Sequence, residues 1–82
     1  MTKSVFMPTY ARFRELLTEA RENAGLTQAA LAERLRKPQS YVSKFERGER
    51  RLDVVEFLEV AQAIKIDPFR LLKQLGRSSK QN

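Results

Sequence analysis

The sequence has no cysteine and no histidine. The first absence excludes disulfides and thiolate metal sites, and the second removes the commonest general base and metal ligand, although neither fixes the compartment. No apolar run approaches the ~20 residues needed to span a bilayer, and the N-terminus, MTKSVFM, lacks the apolar core of a secretory signal. The expectation is therefore a soluble, untargeted, cytoplasmic protein with no membrane association, no metal and no other cofactor. Alternating strand patterns are also missing. At 82 residues the chain forms one domain, and a chain of this size buries only ~60% of its extended surface, which leaves no room for a deep active-site cavity. The carboxylates Glu15, Glu19 and Glu22 lie among Arg12, Arg14 and Arg21 on an open helix surface, where they are solvated or paired rather than catalytic. With no base in a cleft and no phosphate-cradling glycine loop, the chain does not read as an enzyme.

What the chain does have is positive charge in one place. Its net charge is +6. In residues 1–33 four cations meet four carboxylates, whereas residues 34–51 carry Arg34, Arg36, Lys37, Lys44, Arg47, Arg50 and Arg51 against only Glu46 and Glu49. An excess confined to so short a stretch is expected of a phosphate-binding footprint; an evenly solvated surface would spread it.

Helical periodicity divides the chain into five elements. After an arm at 1–7, expected to be partly flexible, Pro8 opens a helix with Tyr10, Phe13, Leu16, Leu17, Ala20 and Ala24 on one side, closed by Gly25. Thr27 caps a second helix from Gln28 to about Leu35. Lys37-Pro38 interrupts it, and a third helix follows to Arg47 with Gly48 as its cap. Asp53 and Glu56 spell a capping box for a fourth helix, with Leu52 placed to staple onto Phe57. Its apolar stripe is Val54, Phe57, Leu58, Ala61 and Ile64. Asp67-Pro68 repeats the capping device for a fifth helix, with Ile66 placed to staple onto Leu71 and an end near Leu75 before Gly76. Domain 8–75 is thus all-α, followed by a flexible tail at 76–82. In the stretch TQAALAERLRKPQSYVSKFERG, two short helices meet at a tight turn, and the second has one apolar side and one side of hydrogen-bonding groups. Beside a cluster of Arg and Lys, that is the inventory needed to read base edges in a DNA major groove.

These residues resemble the Cro/repressor-type, or XRE-like, helix-turn-helix family, with its lambda-repressor-like fold. The Thr27-Gln28 opening, Leu31-Ala32, and Val42, Phe45, Glu46 and Gly48 stand at the family's spacing without a gap, and the five-helix layout over about residues 8–75 matches too. The resemblance implies a phosphate contact at Gln28, base contacts at Gln39, Ser40 and Lys44, and a scaffolding ion pair between Arg21 and Glu46. Ser43 and Tyr41 border the reading surface. Ser43 is grouped with the base readers and Tyr41 with the phosphate contacts, where its ring either packs on a thymine methyl or sugar or covers the edge of the core. The basic side chains Arg36, Lys37, Arg47, Arg50 and Arg51 are assigned to phosphates. Arg36 and Lys65 depart from the glycine that the family favours at those turns, and a non-glycine costs ~1 kcal/mol or more where the left-handed angle is kept.

The expected partner is double-stranded DNA, bound as a transcriptional regulator by a homodimer on an inverted-repeat operator. Phe69 and Leu72 turn partly away from the stripe formed by Leu71 and Leu75, so they are assigned, with help from the fourth helix, to the dimer interface. Folding of the Phe6 arm over that patch is the alternative cover. The alternative function is an adaptor or antitoxin-type module that uses the same fold to bind a protein partner such as a toxin, a polymerase or another regulator.

Overall fold

The computed structural model describes residues 8–79, and the expected arm at 1–7 and the residues 80–82 lie outside them. Five helices follow in order: α1 Pro8–Asn23, α2 Gln28–Leu35, α3 Gln39–Arg47, α4 Val54–Ile64 and α5 Pro68–Ser79. No described helix is long and apolar enough to cross a membrane.

Local chemistry sets most boundaries. Thr27 Oγ1 accepts the Ala30 N–H at 3.0 Å, and Asp53 Oδ1 accepts the Glu56 N–H at 2.8 Å while Glu56 Oε1 accepts the Asp53 N–H at 3.0 Å. Asp67 Oδ1 accepts the Phe69 N–H at 2.9 Å. Each of these bonds satisfies an amide that a helix start would leave unpaired. At the other ends, α2 closes on Arg36 (φ 59°) and α4 on Lys65 (φ 72°), both left-handed. The Lys37 N–H reaches back to Ala32 O at 3.0 Å, and the Ile66 N–H to Ala61 O at 3.0 Å. The turn geometry usual for glycine is therefore kept by side-chain-bearing residues, at a cost of ~1–2 kcal/mol each.

The core gathers Phe13, Leu16 and Leu17 of α1, Leu31 and Ala32 of α2, Val42 and Phe45 of α3, Phe57, Val60, Ala61 and Ile64 of α4, and Leu71 of α5. Phe13 and Phe57 meet edge to face with ring centres 5.3 Å apart. Leu52 and Ile66, the two staple positions, are half-buried against this cluster.

Two expectations are corrected. On α4 the buried side is Phe57, Val60, Ala61 and Ile64, whereas Val54 and Leu58 face outward. The segment VVEFLEVAQAI carries apolar residues in two helical phases, and the one that includes Val60 is turned to the core, against α2 and α5. Helix α5 also runs past Gly76 to Ser79. Gly76 takes no positive φ. A glycine inside a helix costs only ~0.5–1 kcal/mol, too little to end one by itself.

Candidate nucleic-acid interface

Helices α2 and α3 pack together as a bihelical unit. Ala32 and Val42 are both buried, with relative exposures of 2% and 0%. At about 100° per residue, burial of Val42 and Phe45 turns Ser40, Ser43, Lys44 and Arg47 to the opposite side of α3. Gln39, Ser40, Lys44 and Arg47 are exposed and Ser43 is half-exposed, its hydroxyl donating to Ser40 O at 3.3 Å. The face therefore offers hydroxyl, carboxamide, ammonium and guanidinium groups at a free surface.

Behind it, Glu46 fixes α3 to α1 and α2. Its carboxylate accepts Arg21 Nε at 2.7 Å, Arg21 Nη2 at 3.0 Å and Gln28 Nε2 at 2.9 Å. The Glu46 hydrogen bond holds the Arg21 guanidinium above its usual pKa, against the opposing pull of burial. Arg21 Nη1 also donates to Leu26 O at 2.9 Å, so one arginine joins the end of α1 to the end of α3. The assigned phosphate contact Gln28 is thus engaged from within. A carboxamide has two N–H donors, and one remains for an external anion.

Sequence reasoning missed two further arginines. Arg14 Nη1 donates to Glu46 O at 2.9 Å, and Arg34 Nη1 to Ala63 O at 2.8 Å. Each places a cation at carbonyls ending a helix, where the partial negative charge gathers. Arg14 also lies over Gly48. A Cβ there would meet the Arg14 Cζ at 3.0 Å and would have to push that guanidinium aside, and φ is +84°, a conformation that glycine takes without strain. No spacing rule links Arg14 to Glu46 or Arg34 to Ala63; only the tertiary fold does.

The other flank of α3 is aromatic and cationic. The Tyr41 ring stands edge-on to Phe45 at 5.6 Å, with Lys37 Nζ 5.2 Å and Arg50 Cζ 4.8 Å from its centre. Tyr41 is half-buried, so it covers the core's edge while still reaching the surface, and burial raises its hydroxyl pKa. Arg50 is held by Glu56 through two bonds, Nη2 to Oε2 at 2.7 Å and Nη1 to Oε1 at 3.1 Å. With the Asp53 N–H added, these bonds bring the Glu56 carboxyl down to about 2. Arg47 pairs with Glu49 at 3.0 Å in the open, and the same bond lowers the Glu49 pKa. The Arg51 guanidinium lies 4.2 Å from the Tyr10 ring centre, and Arg36 is exposed at the turn.

The structure thus brings Gln39, Ser40, Ser43, Lys44 and Arg47 onto one side of α3, with Gln28 on one flank and Lys37, Tyr41 and Arg50 on the other. Phe69 and Leu72 form no part of this surface. They are 74% and 44% exposed on α5, and Val54, Val55 and Leu58 are exposed on α4.

Residues 17–71 match the family model described as helix-turn-helix. Among solved structures the chain is similar to an XRE-family like protein from Pseudomonas syringae pv. tomato str. DC3000, at 47% identity over 92% of each chain and a TM-score of 0.86. It is also similar to the restriction-modification controller protein C.AhdI from Aeromonas hydrophila, at 37% identity over 76% of this chain and 94% of that one, with a TM-score of 0.69. No curated protein sequence matches it.

Proposed function

The chain belongs to the XRE-type helix-turn-helix family of DNA-binding transcriptional regulators, and from that premise we propose that it binds an inverted-repeat operator as a homodimer, with α3 in the major groove. The observation that carries this reading is the exposed polar side of α3, on which Gln39, Ser40 and Lys44 stand clear of the core. Gln39 offers the paired donor and acceptor that match adenine, and Lys44 a donor for guanine N7 and O6. The bases would be read there, while Lys37, Arg36 and Arg51, with the second N–H of Gln28, meet phosphates on either side and set the register. Arg47 joins them by exchanging its two bonds to Glu49, both made by open, more than half-exposed side chains, for bonds to phosphate.

Two-fold pairing through α4 and α5 would place two copies of α3 roughly 34–36 Å apart, one turn of DNA. Selection of bound fragments from a random duplex library tests the whole reading. An enriched site made of two inverted half-sites is the expected outcome. Retention of fragments with no shared sequence would overturn specific recognition, and a single half-site would overturn the dimer.

A further inference from the structure

We propose that Arg50 is a positioning residue rather than a phosphate ligand: clasped by Glu56, it props the Tyr41 side of α3 against the start of α4. This rests on the reading of α3 as the DNA-reading helix and assigns Glu56 a part in it.

The geometry of one side chain carries the proposal. Arg50 gives Glu56 two charge-assisted bonds of 2.7 and 3.1 Å, donates from Nη1 to Arg51 O at 3.2 Å, and rests its guanidinium 4.8 Å from the Tyr41 ring centre. Three of the five guanidinium N–H groups are taken, two by the Glu56 carboxylate and one by Arg51 O. A phosphate would find only the Nε–H and the second Nη2–H, beside a carboxylate that repels it as a like charge, and could take the whole fork only by breaking a bidentate pair, the stronger kind of side-chain bond. Left in place, the pair is neutral and adds nothing to the cationic footprint.

Both ends of the prop are fixed. Glu56 Oε1 also accepts the Asp53 N–H at 3.0 Å, within the capping box that starts α4. At the far end Tyr41 meets Phe45, which is 2% exposed in the core. The intervening residues 49–53 have no regular secondary structure; Leu52 anchors them to the core and to the Tyr10 hydroxyl, which its N–H reaches at 3.3 Å, and Arg50 adds the fastening on the Tyr41 side of α3. Arg51 differs from its neighbour, since its guanidinium lies over a neutral ring, Tyr10, and keeps its full charge for phosphate.

Glu56→Gln separates the two roles, because glutamine preserves the capping-box acceptor while removing the charge. The probe is a duplex carrying the site selected by the wild-type chain, titrated at several salt concentrations. Loss of a partly exposed ion pair predicts binding weaker by about twofold to fivefold with an unchanged salt slope. Arg50→Gln should match it, and the double variant should be no worse than either single one. Tighter binding by Glu56→Gln, or a salt slope reduced by about 0.9 in Arg50→Gln, would show a phosphate ligand and overturn the proposal. If the wild-type chain bound no duplex, the DNA-binding reading would fall instead. Hydrogen exchange at residues 49–53 would then still decide the prop: faster exchange in Glu56→Gln supports it, and unchanged exchange overturns it.

Discussion

Arg21 of α1 and Glu46 of α3 face each other across two parallel hydrogen bonds of 2.7 and 3.0 Å, with side-chain exposures of only 11% and 6%. A pair so far out of water is expensive to break from one side, because the remaining charge keeps its desolvation cost without its partner. Arg21→Ala should therefore cost about 3–5 kcal/mol of folding stability. Removing both charges with Arg21→Met and Glu46→Leu should cost less than the two single losses combined. Urea unfolding of the four proteins measures the coupling, and simple additivity would mean that the pair is not the unit described.

Lys65 holds φ at 72° and Arg36 at 59°, a conformation that costs a side-chain-bearing residue ~1–2 kcal/mol. Glycine removes that cost but loses more entropy on folding, so Lys65→Gly should stabilise by up to about 1 kcal/mol. Lys65→Ala, which keeps the strain, should not. A thermal melt of the three proteins suffices, and a destabilised glycine variant would show that the strain is relieved elsewhere.

Glu56 contributes a stability with a definite pH window. Its carboxyl is brought down to about 2, by Arg50 first and by the Asp53 N–H next, from an unfolded value of about 4.3. A depressed folded value means that the contribution is complete above the unfolded pKa and is lost as pH falls through the folded one. The gap in melting temperature between wild type and Glu56→Gln should thus be constant above pH 5 and shrink between about pH 4.3 and 2. A gap that persists to pH 2 would argue against the ionised Arg50–Glu56 pair as its source.

The helix starts were legible because their caps are local. Thr27, Asp53 and Asp67 each bond an amide two or three residues on, within the reach of a pattern. The buried side of α4 was not, because Val54 and Leu58 compete with Val60 in a helix apolar in two phases, and only the neighbours choose. Site residues divide along the same line. Exposure of Ser40 and Lys44 follows from the period of α3, but the diversion of Gln28 to Glu46 and of Arg50 to Glu56 joins residues that the chain brings together in space. Charge counted along a sequence cannot tell a free arginine from a paired one.

Arg51 and Gln39 should fail in different ways. Arg51→Ala removes an exposed cation with no carboxylate partner among the described residues, so it should weaken all duplexes about equally and reduce the salt slope by about 0.9. Gln39→Ala should relax preference at one base step by ~1–3 kcal/mol with the slope unchanged. Titration against a panel of single-base variants separates the two patterns. Equal losses across the panel for Gln39→Ala would remove α3 from the reading role.

Assembly turns on the apolar side chains that the core leaves uncovered. Phe69 is 74% exposed and Leu72 44% on α5, while Val54, Val55 and Leu58 stand at 72%, 64% and 43% on α4. The arm carrying Phe6 lies outside the described residues, so the described fold offers no cover for this surface. Under the proposed pairing, a two-fold contact lets one copy bury the uncovered apolar side chains of another. Phe69→Glu would place a charge within that apolar contact, where its burial is costly. Sedimentation at micromolar concentration should show a dimer for the wild-type chain and a monomer for Phe69→Glu, with the variant's stability as a monomer little changed because Phe69 is three-quarters exposed. A wild-type chain that sediments as a monomer and is indifferent to the substitution would remove the two-fold contact, and with it the reason to expect two half-sites one helical turn apart.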